Sequence, residues 1–156
     1  MRNKATSVPG KHSTSHADSV RDKILIIEGN ASHRTMLQHR LEASGFGVVT
    51  ARDGLEGLNA VRRENPDLVI LDVLLPGLDG HKICRMIKFD KNMRHIPVVV
   101  LTSRDLDEVA ELAKRVKADA FAVKTTKVPV LVEIIRKLIE RKQAADASGG
   151  NPPLEG

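Results

Sequence analysis

The chain has 156 residues, 41% of them hydrophobic and 2% aromatic, with one cysteine and a formal net charge of +5 at pH 7. That length holds one domain with a real core and is short for two; no apolar run approaches the roughly 18 residues of a membrane span, and the opening MRNKATSVPGKHSTSHADS lacks the apolar segment of a secretory signal, so a cytoplasmic protein without membrane contact is expected. The lone Cys84 excludes an internal disulfide and fits a small core residue in a reducing compartment, while basic residues interleaved with acids and the near absence of stacking aromatics argue against nucleic-acid binding despite the positive charge.

Residues 1–22 are polar, carry Pro9 and Gly10, and read as a disordered extension. The first strand is the apolar run Ile24 to Ile27, stopped by Glu28, Gly29 and Asn30. Met36, Leu37 and Leu41 then mark a helix over Ser32 to Ser44, and Phe46 to Ala51 a weaker strand. Asp53 is placed to cap a helix whose Leu55, Leu58 and Val61 share one face. The run Leu68 to Leu71 ends at Asp72 and is followed by a helix over His81 to Lys91 with Ile83, Cys84 and Ile87 inside. Val98 to Leu101 ends at Thr102, and Asp105 caps a helix over about Leu106 to Arg115 carrying Val109, Ala110 and Leu112. A short fifth strand, Phe121 to Val123, ends at Lys124, and Pro129 opens a last helix with Leu131, Ile134, Ile135 and Leu138. Residues 143–156, with the small, flexible, Pro-rich AADASGGNPPLEG, read as a tail, which leaves 23–142 as the domain.

Strands alternating with helices imply crossover connections and a parallel sheet. The three strong runs are apolar throughout, as expected of central strands covered on both faces, so the weaker second and fifth strands belong at the edges. The expected fold is therefore α/β, a flavodoxin-like doubly wound five-stranded sheet of order 2-1-3-4-5 with helices on both faces. In such sheets ligands bind beyond the carboxyl ends of the strands, where the strand order reverses, here between strands 1 and 3. Glu28, Asp72, Thr102 and Lys124 each close a strand, so two carboxylates, a hydroxyl and an ammonium are expected in one crevice. Each has an ordinary reading as a cap, a strand end or a solvated lysine; together they form a signal.

PDLVILDVLLPGLDG (Pro66 to Gly80), HIPVVVLTS (His95 to Ser103) and KADAFAVK (Lys117 to Lys124) closely resemble the receiver domain of two-component response regulators, with the resemblance running from about Lys23 to Arg141. It implies a signalling module rather than an enzyme: a single-domain regulator that takes a phosphoryl group from a histidine kinase or histidine phosphotransfer protein and acts on a downstream output protein, with a homodimer also compatible. Asp72 then matches the phosphoacceptor, Lys124 the fixed positive charge, Thr102 the hydroxyl that bonds a phosphoryl oxygen, and Phe121 the aromatic switch. Magnesium is implied, held by Glu28, Asp72 and the main-chain oxygen of Leu74. The small Ser103 leaves access to Asp72. The signalling surface is implied to be the face of the fourth helix, the fifth strand and the fifth helix.

Two positions depart from the family. The acid pair after strand 1 reads Glu28 and Gly29, which removes the acid that usually touches the metal, so weak magnesium binding is expected. Thr125 stands where proline usually follows the lysine, and a cis bond before it would cost about 2.5–4 kcal/mol, so a differently shaped loop is expected. These departures leave open a second reading, a pseudo-receiver that binds partners whatever its phosphorylation state. A flavin-binding protein of the same fold would need a Ser/Thr/Gly-rich phosphate loop where Glu28 stands.

Overall fold

Strong apolar runs become the centre of the sheet. A computed structural model describes residues 21–73, 75, 79–103, 107, 111 and 114–149. Its elements are β1 (Lys23–Ile27), α1 (Ala31–Ala43), β2 (Gly47–Ala51), α2 (Gly54–Glu64), β3 (Leu68–Asp72), α3 (Gly80–Lys88), β4 (Val98–Thr102), β5 (Ala120–Val123) and α4 (Val128–Gly149). Between β4 and β5, residues 107, 111 and 114–116 are helical; Asp105, Leu106, Val109, Ala110 and Leu112 of the helix expected there lie outside the described residues, as do residues 1–20. All strand pairs are parallel in the order β2-β1-β3-β4-β5, as the hydrophobic pattern predicts.

Side-chain alternation along each strand divides the core in two. Leu25, Ile27, Val69, Leu71, Val98 and Val100 face α2 and α3 with Leu58, Val61, Ile83 and Ile87. Ile24, Ile26, Leu68, Ile70, Val99 and Leu101 face α1 and α4 with Leu37, Leu41, Leu131 and Ile135. Because both faces are covered, β1, β3 and β4 have no wet side and carry no alternating pattern. Full burial of each aliphatic side chain stabilises the fold by about 1.5–3 kcal/mol. Cys84 belongs to this core, and burial pushes its thiol up to about 12, which suits an inert packing role.

The helix ends follow local chemistry. The Asn30 side chain accepts from the His33 N–H and caps α1, so that helix starts one residue before Ser32. Asp53 accepts from the Glu56 N–H and caps α2, as its sequence position predicts. Pro129 lies in the first turn of α4, where its missing N–H costs nothing. α3 stops at Lys88 rather than Lys91, and Phe89 forms the cap before a run of turns.

One expectation needs correcting. The flexible tail was expected from 143, but α4 continues through Gly149. Gln143, Ala144, Ala145 and Ala147 favour helix, and Lys142 pairs with Asp146 one turn on at 3.4 Å, so the extension has local support.

The two-sided burial yields a contrast. Ile26→Ala, at a fully buried central position, is expected to cost about 2–5 kcal/mol in urea unfolding. Leu55→Ala, at a position 64% exposed, should stay within about 0.5 kcal/mol; similar losses at the two sites would contradict the packing described.

Candidate functional site

Register decides which strand ends meet. Ile27 of β1 lies beside Leu71 of β3, so Glu28 and Asp72 stand next to each other one residue further on. Asp72 lies beside Leu101 of β4, and Thr102 beside Val123 of β5, which brings Lys124 to the same edge. The four residues expected at the crevice are therefore together, and Glu28, Asp72 and Thr102 are 1, 3 and 0% exposed.

Lys124 holds the group together. Its Nζ lies 3.1 Å from Asp72 Oδ2 and 3.2 Å from Glu28 Oε2, and its backbone N–H donates to the Thr102 carbonyl at 2.6 Å. Burial alone would lower the lysine, but the hydrogen bond and charge of Asp72, with those of Glu28, outweigh it and hold the ammonium above its ordinary value. Burial likewise pushes the Glu28 carboxyl up, yet the Asn30 N–H, His33, Asp72 and Lys124 together bring it below the ordinary carboxylate value.

Three of Glu28's partners were not foreseen from the sequence. His33 Nδ1 lies 2.9 Å from Oε1, the Asn30 N–H donates to Oε2 at 3.0 Å, and Arg34 Nη1 donates to the Glu28 carbonyl at 2.8 Å. The available signal was positional: Asn30 caps α1, and the first turn after a cap returns His33 and Arg34 toward the preceding strand end. Glu28 is thus clamped from α1 on one side and from Lys124 on the other.

The motif after β3 also has a steric reason. Asp79 accepts from the His81 N–H and caps α3, while the Gly80 N–H donates to the Val73 carbonyl at 3.1 Å. A Cβ on Gly80 would sit 2.5 Å from both the Asp72 carbonyl and Val73 Cα, so only glycine lets α3 approach the backbone that carries Asp72. Leu74, whose main-chain oxygen is the third expected metal ligand, lies outside the described residues. Phe121 sits on β5, 36% exposed, and Ser103 is exposed beside Thr102. The described peptide bonds contain no cis form, so Thr125 follows Lys124 in trans, as its identity predicts.

The donor set suits a hard, oxygen-preferring cation such as magnesium: two buried carboxylates side by side, with room in its shell for water. Among the described residues no group of three or more His, Cys, Asp or Glu side chains is placed to hold a metal.

Converging carboxylates, a strand-end threonine and a bridging lysine on a 2-1-3-4-5 parallel sheet define a receiver domain, and the family model for the response regulator receiver domain matches residues 24–136. The chain belongs to that family. It is 35% identical over 136 residues to the alkaline phosphatase synthesis transcriptional regulatory protein PhoP of Bacillus subtilis, covering 86% of this chain and 56% of PhoP. It is 30% identical over 116 residues to the polar-differentiation response regulator DivK of Brucella ovis, covering 74% of this chain and 94% of DivK. The chain thus spans about half the length of transcriptional relatives such as PhoP and nearly all of DivK. Among solved structures, the receiver domain of sensor histidine kinase PA1611 from Pseudomonas aeruginosa PAO1 superposes with a TM-score of 0.72 at 26% identity, covering 78% of this chain and 99% of that one; it carries a magnesium ion coordinated in its active site cleft. No helix among the described residues is long and apolar enough to cross a membrane.

Two measurements follow from the geometry. Gly80→Ala must displace the β3 end or α3, and is expected to lower stability by about 1–3 kcal/mol and to shift the Asp72 amide resonance; an unshifted Asp72 would contradict the close approach. Because the folded Glu28 carboxyl lies below its ordinary 4.5, its contribution to stability is complete above that value and lost as pH falls through the lower folded one. In Glu28→Gln the acid side of the stability–pH curve should therefore be shallower; an unchanged slope would mean the carboxylate is not held as described.

Proposed function

We propose that this chain accepts a phosphoryl group on Asp72 from a phosphohistidine of a histidine kinase or histidine phosphotransfer protein, and relays the change to a downstream output protein in the cytoplasm. The observation that supports it is the 3.1 Å contact between Lys124 Nζ and the buried Asp72 Oδ2. It couples a nucleophilic carboxylate to a fixed cation, where a phosphoryl oxygen would need one.

In the transfer, an Asp72 oxygen attacks phosphorus, the phosphorus–nitrogen bond of the partner's phosphohistidine breaks, and its electron pair returns to the imidazole. The product is an acyl phosphate on Asp72. Lys124 exchanges its contact with Asp72 for one with a phosphoryl oxygen, and the Thr102 hydroxyl turns toward another. Magnesium, when bound, neutralises phosphoryl charge; Glu28, Asp72 and the Leu74 carbonyl are the proposed donors, and Gly29 leaves the set one acid short, hence weak binding. The relay follows from crowding: Thr102 moving toward the phosphoryl group frees space beside β5, Phe121 turns inward, and the face of the helix before β5, β5 and α4 changes shape for the output protein. Phe121 of β5 and Val130 of α4 are exposed apolar side chains on those elements, at 36 and 50%.

The second reading, a phosphorylation-independent interaction module, is favoured by one observation. Both Glu28 oxygens are already engaged, by His33 on one and by the Asn30 N–H and Lys124 on the other.

Acetyl phosphate with magnesium should add one phosphoryl group by intact mass, lost in Asp72→Asn. Among the described glycines only Gly45 has a positive φ, so Gly29 tolerates a side chain by its backbone. Gly29→Asp is expected to tighten magnesium binding about tenfold or more and to speed labelling, and Glu28→Ala nearly to abolish both. No labelling at tens of millimolar magnesium, with Gly29→Asp silent, would select the second reading. Beryllofluoride should shift resonances of β5 and α4; shifts that spared them would refute the proposed output face.

A further inference from the structure

The strands' amino ends carry a second, unrelated cleft. It encloses about 280 Å³ between the turns that follow α3, the residues leading into β4 and β5, and the last turns of α4. The strand β4 separates it from the Thr102 end of the sheet by roughly 16 Å at about 3.3 Å per residue. Its far wall includes Ala145 and Asp146, residues of the α4 extension beyond 142.

The charge in this cleft is unevenly matched. Asp119 is held by Lys88 at 2.8 Å and also accepts from the Val98 N–H, and Asp146 is held by Lys142 at 3.4 Å. Each acid thus has its own lysine. Arg94, His95 and Arg141 line the same space, and among the described residues no side chain pairs with any of them. Lys88 also donates to the Arg94 and Ile96 carbonyls, both at 2.9 Å, which fixes the turn carrying Arg94 and His95 before any ligand arrives. Pro97 and Leu138 add an apolar surface.

We infer that this cleft is an anion site for a small phosphate group, free or carried on a metabolite, with Arg94 and Arg141 gripping the phosphate and His95 completing its donors. Arginine is the side chain suited to this because its planar fork donates two parallel hydrogen bonds to phosphate oxygens. A preset turn reduces the ordering cost of binding. The volume lies just below the range of ligand pockets, roughly 300–1,000 Å³, which suits a metabolite of mononucleotide size or less. Two sources share the chemistry, free phosphate and the phosphate of a mononucleotide, whose ribose and base would use the Pro97 and Leu138 surface. The site does not depend on phosphorylation of Asp72.

The test titrates the full-length chain, isotopically labelled and in EDTA, with inorganic phosphate and separately with AMP. Saturable shifts are expected at the amides of His95, Asp119 and Lys142, with Asp72 and Thr102 still. Tighter binding of AMP would identify a nucleotide-like occupant, and equal affinities free phosphate; either supports the site. Arg94→Ala with Arg141→Ala should weaken binding tenfold or more, and the paired Lys variant should retain part of it. Both arginines are exposed, so folding should persist; if the Ala pair unfolds, Arg141→Ser alone should still weaken binding severalfold. The proposal is overturned by shifts confined to the Asp72 end, by affinity unchanged in the arginine variants, by no saturation at millimolar probe, or by binding of an acidic peptide where neither phosphate binds.

Discussion

Two buried carboxylates, Glu28 and Asp72, stand side by side, and a single ammonium lies 3.2 and 3.1 Å from them. Two acids side by side need a countercharge, and their burial adds a desolvation cost. Lys124 offsets both, so the carboxyl edge of the sheet is arranged around one cation. Removing it would leave two buried acids without their bridging countercharge, and the crevice would have to take up protons, water or another cation. The phosphoryl group of the proposed function would meet the same constraint and the same cation.

The sheet order is what makes that balance available. Glu28 and Asp72 are neighbours because β1 and β3 are adjacent at the point where the winding reverses, and Lys124 reaches them from the edge strand past Thr102. The strands deliver these groups reproducibly because they are buried on both faces and have little freedom to slide: a one-residue slip would exchange the two halves of the core. Gly80 belongs to the same logic, since the close approach of α3 to the Asp72 carbonyl fixes the β3 end from below.

The chain belongs to the receiver family, and in its crevice Glu28, followed by Gly29, is not a loose carboxylate. It is held by the start of α1 through His33 and the Asn30 N–H, as well as by Lys124. The site is therefore more self-satisfied than a pair of free acids, and any cation must compete with these hydrogen bonds for Glu28's lone pairs. The trans link to Thr125 follows from the same economy of local chemistry, since no proline is present to favour another geometry.

The parts legible in the sequence were those governed by near neighbours. Four uninterrupted apolar residues before Glu28 marked a strand covered on both sides; Asp53 and Pro129 marked helix starts; and the polar residue closing each strong strand marked the crevice. What the sequence left open depended on contacts between distant positions or on several weak preferences adding up. The partners of Glu28 include Lys124, 96 positions away, and the capping turn that swings His33 onto it. The extension of α4 past 142 rests on alanine propensity and one Lys–Asp pair, which a small, glycine-ending composition conceals. The cleft walled by that extension exists only once α4 has returned along the sheet to meet the turns after α3. Periodicity and capping are encoded within a few residues, so the sequence by itself determined the elements and which of their ends are polar. Register and helix packing are decided by how whole faces fit, so only the tertiary structure determined which of those polar groups touch.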